Sequence, residues 1–223
     1  MPRSALVLGA TGLVGQHLLK LLLDSDDYDA VITLGRRALG QTHDKLTHHV
    51  IDFDQPPKDA SMYAAHDVFC CLGTTIKQAG SQEAFRKVDF TYPVRIGQRA
   101  RAAGAKHYLL VTALGADPDS SIFYNRVKGE VERAVQQLGY DRVSLFRPSL
   151  LTGDRDEARL GERVAETVLK LARPLMVGPL KPYRPTPARA VAEAMHYIAL
   201  QEGKGAAIYE PEAIKEATAL AVG

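Results

Sequence analysis

"LVLGATGLVGQHLL", residues 6–19, is the stretch on which the fold turns. An apolar run halts at Gly9, glycines recur at Gly12 and Gly15, and leucines then return at helical spacing. A buried strand passing into a helix through a glycine turn has this pattern. The N-terminus of such a helix offers unpaired N–H groups and a partial positive charge, which suit a phosphate. A plain tight turn would use the same residues, so the rest of the chain has to discriminate.

Outward from this stretch, strands and helices alternate. Apolar runs at 30–35, 46–53, 66–73, 106–115 and from 142 read as further strands. Helical periodicity runs from Leu13 to Leu22, between Ser81 and Gly104, and from about Ile122 to Leu138, the last with a core stripe through Phe123, Val127, Val131, Ala134 and Leu138. This order implies right-handed βαβ crossovers and an α/β fold, a Rossmann-type doubly wound parallel sheet. The chain reads as one domain, 1–223. Residues 1–153 are its cofactor-binding core, and 154–223 a small C-terminal substrate lobe over the sheet edge. That lobe holds a charged run (Asp154–Arg163), helices near 161–172 and 188–200, a proline-rich stretch between them, and a closing strand, "AAIYE".

Bulk properties narrow the function. The 223 residues are 46% hydrophobic and carry a formal net charge of +2. Arg36-Arg37 is the longest basic run, which argues against nucleic acid as a partner. No apolar run approaches the roughly 18 residues of a membrane span. The opening Met1-Pro2-Arg3 lacks signal-peptide character, so a cytoplasmic protein is expected.

In an α/β dinucleotide fold each glycine has a role. Gly9 allows the turn, Gly12 lets the backbone approach the pyrophosphate, and Gly15 lets the helix pack closely. About 20 residues on, an NAD site carries an acid for the ribose 2′-OH. This chain has Gly35-Arg36-Arg37 there, and a guanidinium suits a 2′-phosphate. NADP(H) is therefore expected over NAD(H).

Tyr124 and Lys128 stand four apart on a helix and share a face, about 100° round from its apolar stripe. Carbonyl reduction needs a proton for the developing alkoxide. A phenol with an ordinary pKa near 10 gains reactivity at neutral pH beside an ammonium. Thr112, at the end of the preceding strand in "LLVTALG", supplies a hydroxyl to polarise the carbonyl, with Ser120 and Ser121 as alternatives.

"GATGLVG", "YNRVK" and "RPSLLTG" together resemble the atypical or extended short-chain dehydrogenase/reductase superfamily. "CCLGTT" at 70–75, "YNRVKGEVE" at 124–132 and "FRPSLLTGDRDEARLGE" at 146–162 are similar to the Tat-interacting protein (thirty-kilodalton) family and its bacterial relatives. The resemblance implies that Gly9, Thr11, Gly12, Leu13, Val14 and Gly15 line the pyrophosphate and that Arg36 and Arg37 take the 2′-phosphate. It implies Asp52 and Phe53 beside the adenine, and Leu72, Gly73 and Thr74 under the nicotinamide-side ribose. Arg147, Pro148, Ser149 and Leu150 would pass the nicotinamide carboxamide through backbone groups. Thr112, Tyr124 and Lys128 would form the catalytic triad. Thr112 replaces the superfamily's usual serine, and Asp89 stands where extended members often carry Asn.

Other reactive side chains read as structural. Cys70 and Cys71 lie in an apolar strand and behave as small hydrophobes. His43, His48 and His49 lack metal-site spacing, so no metal is expected. Asp154–Arg163 is read as a solvated segment that could gate the pocket. The leading function is an NADP(H)-dependent oxidoreductase acting on a small carbonyl or alcohol, as a monomer or homodimer. The alternative is a non-catalytic NADP(H)-binding regulatory or interaction protein.

Overall fold

The computed structural model describes residues 3–153 and 184–222. The glycine stretch joins strand β1 (Arg3–Leu8) to helix α1 (Leu13–Asp24). The strands β2 (Tyr28–Gly35), β3 (Leu46–Val50), β4 (Asp67–Cys70), β5 (His107–Val111) and β6 (Arg142–Phe146) follow. A two-residue pair, β7 (Leu151–Thr152) and β8 (Thr186–Pro187), lies apart from them, and β9 (Gly205–Tyr209) rejoins the main sheet. That sheet has seven strands in the order β3-β2-β1-β4-β5-β6-β9, all parallel.

β1 is apolar throughout because both of its faces are covered. Ala5 and Val7 point into one core layer with Leu18 and Leu22 of α1, and Leu6 and Leu8 into the other with Val68 and Leu110. Strands buried on both faces read as continuous apolar runs. The order reverses at β1, between β2 and β4, and open α/β sheets bind ligands at the carboxyl ends of the strands beside such a point.

Two short helices, α2 (Ile76–Ala79) and α3 (Gln82–Arg86), precede α4 (Tyr92–Ala102) and α5 (Phe123–Gln136), and α4 and α5 cover one face, in the layer of Leu6 and Leu8. Helix α3 runs into α4 through a π-helical turn, Lys87–Thr91, in which the Tyr92 N–H donates to the Lys87 carbonyl. Pro93, next in the chain, has no N–H for the carbonyl of Asp89 four residues back, so the helix widens there. The turn buries Asp89. Helix α5 buries Val127, Lys128, Val131, Glu132 and Val135, so its inner face is turned from the expected stripe by about one residue.

Of the segment read as a lobe, the described part belongs largely to this frame. β9 pairs with β6, and α6 (Ala188–Leu200) buries Val191, Met195 and Ile198 in the same layer as α1. A final helix not expected from the sequence, α7 (Pro211–Val222), follows and adds Ile214 and Ala217 to that layer. The expected helix near 161–172 and the Asp154–Arg163 segment lie outside the described residues.

Candidate nucleotide and active site

The loop after β1 is built around two close approaches. Gly9 has φ +79°, and a Cβ there would lie 2.7 Å from the Cys71 carbonyl oxygen. A Cβ on Gly15 would sit 2.0 Å from the Gly9 carbonyl oxygen, so α1 can approach the loop only with glycine at that position. Gly12 caps α1 without a side-chain hydrogen bond, leaving the first amides of the helix to a ligand. A cradle of bare backbone at an uncapped helix N-terminus fits a pyrophosphate.

Two cavities open from this loop and share Gly12, Leu72, Gly73 and Thr74 as walls. The first, about 710 Å³, runs past Gly9 and Thr11 to Arg36, Arg37, His48 and Phe53. The second, about 400 Å³, is walled by Leu13, Val14, Thr112, Tyr124, Lys128, Pro148, Ser149 and Leu150. Arg36 and Arg37 are exposed, and neither pairs with a carboxylate among the described residues. Other arginines are engaged: Arg3 holds Asp67, Arg95 the Phe53 and Asp54 carbonyls, and Arg147 holds Glu132.

Three expected residues stand apart from the cavities. Gly15 packs beneath the loop. Asp52 is exposed and folds onto its own turn, its Oδ1 accepting from the Asp54 N–H at 2.8 Å, while Phe53 alone faces the cavity. Arg147 is committed elsewhere: its N–H donates to the Tyr209 carbonyl at 2.9 Å and its guanidinium grips Glu132.

At the second cavity, Tyr124 is half-buried and its ring leans on that of the buried Phe85, 5.5 Å between centroids. Lys128 lies one turn on, its Nζ 6.0 Å from the Tyr124 ring centre. Asp89 Oδ1 is 2.7 Å from that Nζ, and its Oδ2 accepts from the Thr74 N–H at 3.0 Å. At that distance the two groups form a buried ion pair. Burial favours the neutral form of the Lys128 amine, but the Asp89 charge, helped by Tyr124, outweighs it and the pKa rises. Burial also raises the Asp89 carboxyl, against the pull of Lys128. The Asp at the expected Asn position thus ties the Gly73–Thr74 loop to the lysine.

Thr112 walls the second cavity, but its hydroxyl is already engaged. Its hydroxyl donates to Glu132 Oε1 at 2.6 Å, and Glu132 in turn holds Arg147. A hydroxyl has one proton, so Thr112 so engaged cannot polarise a carbonyl in the cavity. Helical periodicity alone assigns a charged residue such as Glu132, one turn past Lys128, to solvent; it is 3% exposed. Burial pushes the Cys70 thiol up to about 11 and raises the Cys71 thiol well above its ordinary value, so both stay protonated at neutral pH. Among the described residues no cluster of His, Cys, Asp and Glu could hold a metal, and no helix is long and apolar enough to cross a membrane.

The sheet order, the glycine cradle at the switch point and the adjoining cavities define a dinucleotide-binding α/β protein. A family model described as NAD(P)H-binding matches residues 9–167. Protein HTATIP2 of Rattus norvegicus is 41% identical over 167 residues, 73% of this chain and 69% of that protein. Protein fmp52, mitochondrial, of Aspergillus niger is 37% identical over 171 residues, 71% and 70% of the two chains. Among solved structures, MoeE5 in complex with UDP-glucuronic acid and NAD superposes with a TM-score of 0.71 at 17% identity, covering 93% of this chain and 76% of that one. The chain belongs to the NAD(P)H-binding family, as a relative of HTATIP2 and FMP52.

Proposed function

We propose that the protein is an NADP(H)-dependent oxidoreductase that interconverts a small carbonyl compound and its alcohol. The observation that carries this is continuity. One cleft runs from two uncompensated arginines, past the glycine cradle, to a Tyr–Lys pair on a single helix face. The α1 amides and Gly9–Gly12 backbone hold the pyrophosphate, and Arg36 and Arg37 take the 2′-phosphate. Phe53 packs against the adenine. Leu72–Thr74 and Lys128 hold the nicotinamide-side ribose, and Pro148–Leu150 flank the nicotinamide. The bound cofactor supplies or takes up the hydride. Tyr124 gives its phenolic proton to the alkoxide oxygen formed on reduction and takes it back on oxidation. Lys128, kept charged by Asp89, stabilises the phenolate side of that exchange.

The commitment of Thr112 to Glu132 favours a second reading, a protein that binds NADP(H) without turnover and acts through a partner. The experiment is NADPH oxidation at 340 nm across a panel of small carbonyls, with wild type and Tyr124→Phe. Turnover in the wild type, abolished in Tyr124→Phe with cofactor affinity intact, is expected. Equal turnover in the variant refutes the mechanism. Tight NADPH binding without turnover on any carbonyl selects the second reading.

A further inference from the structure

His48 sits on β3 opposite Thr33 of β2 and lines the larger cavity beside Arg36 and Arg37. Its Nε2 is 2.9 Å from the Arg37 carbonyl oxygen, and its Nδ1 is 2.7 Å from Thr33 Oγ1. A carbonyl only accepts, so Nε2 carries the proton; in the neutral ring Nδ1 then accepts from the buried Thr33 hydroxyl. The ring fills the space over Gly35, where a Cβ would stand 3.0 Å from Cε1. Gly35 is what admits the imidazole under the turn. The segment 36–42 has neither helix nor strand, and this hydrogen bond fastens it to the sheet.

We propose that His48 is the positioning residue of the 2′-phosphate subsite: it fixes the Arg37 backbone, and thereby aims the Arg36 and Arg37 guanidinia at a phosphate monoester. The proposal rests on the NADP(H) reading above and deepens it. An arginine turn already held in place binds without losing the freedom that a slack one must give up, so its loss falls on the 2′-phosphorylated ligand alone. Pyrophosphate and adenine contacts lie on other elements.

The test is calorimetric binding of 2′,5′-ADP and 5′-AMP to the full chain carrying His48→Leu, His48→Gln and His48→Asn. The Gln side chain carries an N–H far enough out to reach the Arg37 carbonyl; that of Asn stops near the Nδ1 position. Wild type and His48→Gln should prefer 2′,5′-ADP. In His48→Leu and His48→Asn that preference should fall about tenfold, with 5′-AMP affinity within about twofold. The Gln and Asn variants keep the position polar, so their comparison stands if His48→Leu does not fold. Equal preference in the Gln and Asn variants, or equal loss of both ligands, overturns the role of His48 while leaving the NADP(H) reading intact. A wild type that binds the two ligands equally overturns the NADP(H) reading, and the His48 proposal with it.

Discussion

Removing one partner of the Asp89–Lys128 pair should be among the most damaging single changes available to this chain. The two side chains are 0% and 6% exposed and 2.7 Å apart. Breaking a buried pair typically costs about 3–5 kcal/mol, because the survivor is a charge without water. In Lys128→Met the orphaned Asp89 can escape by taking up a proton. Neutralising a carboxyl of ordinary pKa near 3.9 at pH 7 costs about 4 kcal/mol, which caps the loss at the same size. Asp89→Asn keeps an acceptor for the Thr74 N–H and leaves Lys128 to lose its proton, at a similar cap of about 4–5 kcal/mol. The double variant removes both charges and should recover most of the loss. Urea unfolding of all four proteins at pH 7 gives the cycle, and in a domain of this size the single variants should melt roughly 6–20 °C lower. The sign with pH is a further check. A lone carboxyl whose folded pKa lies above its unfolded one is destabilising when ionised, so the Lys128→Met deficit should shrink as pH falls toward about 4. Single variants that lose less than about 1 kcal/mol, or a double variant that loses their sum, would refute the buried-pair reasoning.

Other perturbations follow from the same structure. Burial, with Arg142 and Arg3 nearby, depresses His107 from 6.5 to about 3, while Asp67 is occupied by Arg3 and Tyr28. The unfolded chain therefore binds the extra proton first. Stability should fall as pH drops below 6.5, by about 2 kcal/mol at pH 5, and His107→Gln should flatten that slope in pH-dependent urea titrations. A Cβ on Gly129 would lie 2.1 Å from the Pro118 nitrogen and 2.2 Å from the Asp117 carbonyl carbon. Gly129→Ala should therefore lower stability by about 1–3 kcal/mol in the same assay, although alanine is the better helix former by about 1 kcal/mol.

The parts of the fold that the sequence declared are those with a local cause. β1 is apolar because both faces are covered, and the glycines after it are required by contacts within a few residues or with the adjacent strand. What stayed hidden depends on partners distant in sequence. Glu132 meets Thr112 across 20 residues and Arg147 across 15, and periodicity assigns a charged residue to solvent, which also rotated the expected face of α5. His48 looks like any strand histidine until Gly35 and Arg37 are seen around it. Helix α7 did leave a signal, a proline at its first position followed by Glu212, obscured by an alanine-rich body with a weak apolar face.

The central claim is that the cleft takes NADP(H) and that its selectivity resides in the arginines after β2. Fluorescence titration of wild type and Arg36→Ala with NADPH and NADH tests it most directly. The account predicts that wild type binds NADPH at least about tenfold more tightly than NADH, and that Arg36→Ala erases most of this difference by weakening NADPH alone. Equal affinity of the wild type for the two cofactors, or equal weakening of both by Arg36→Ala, would contradict it.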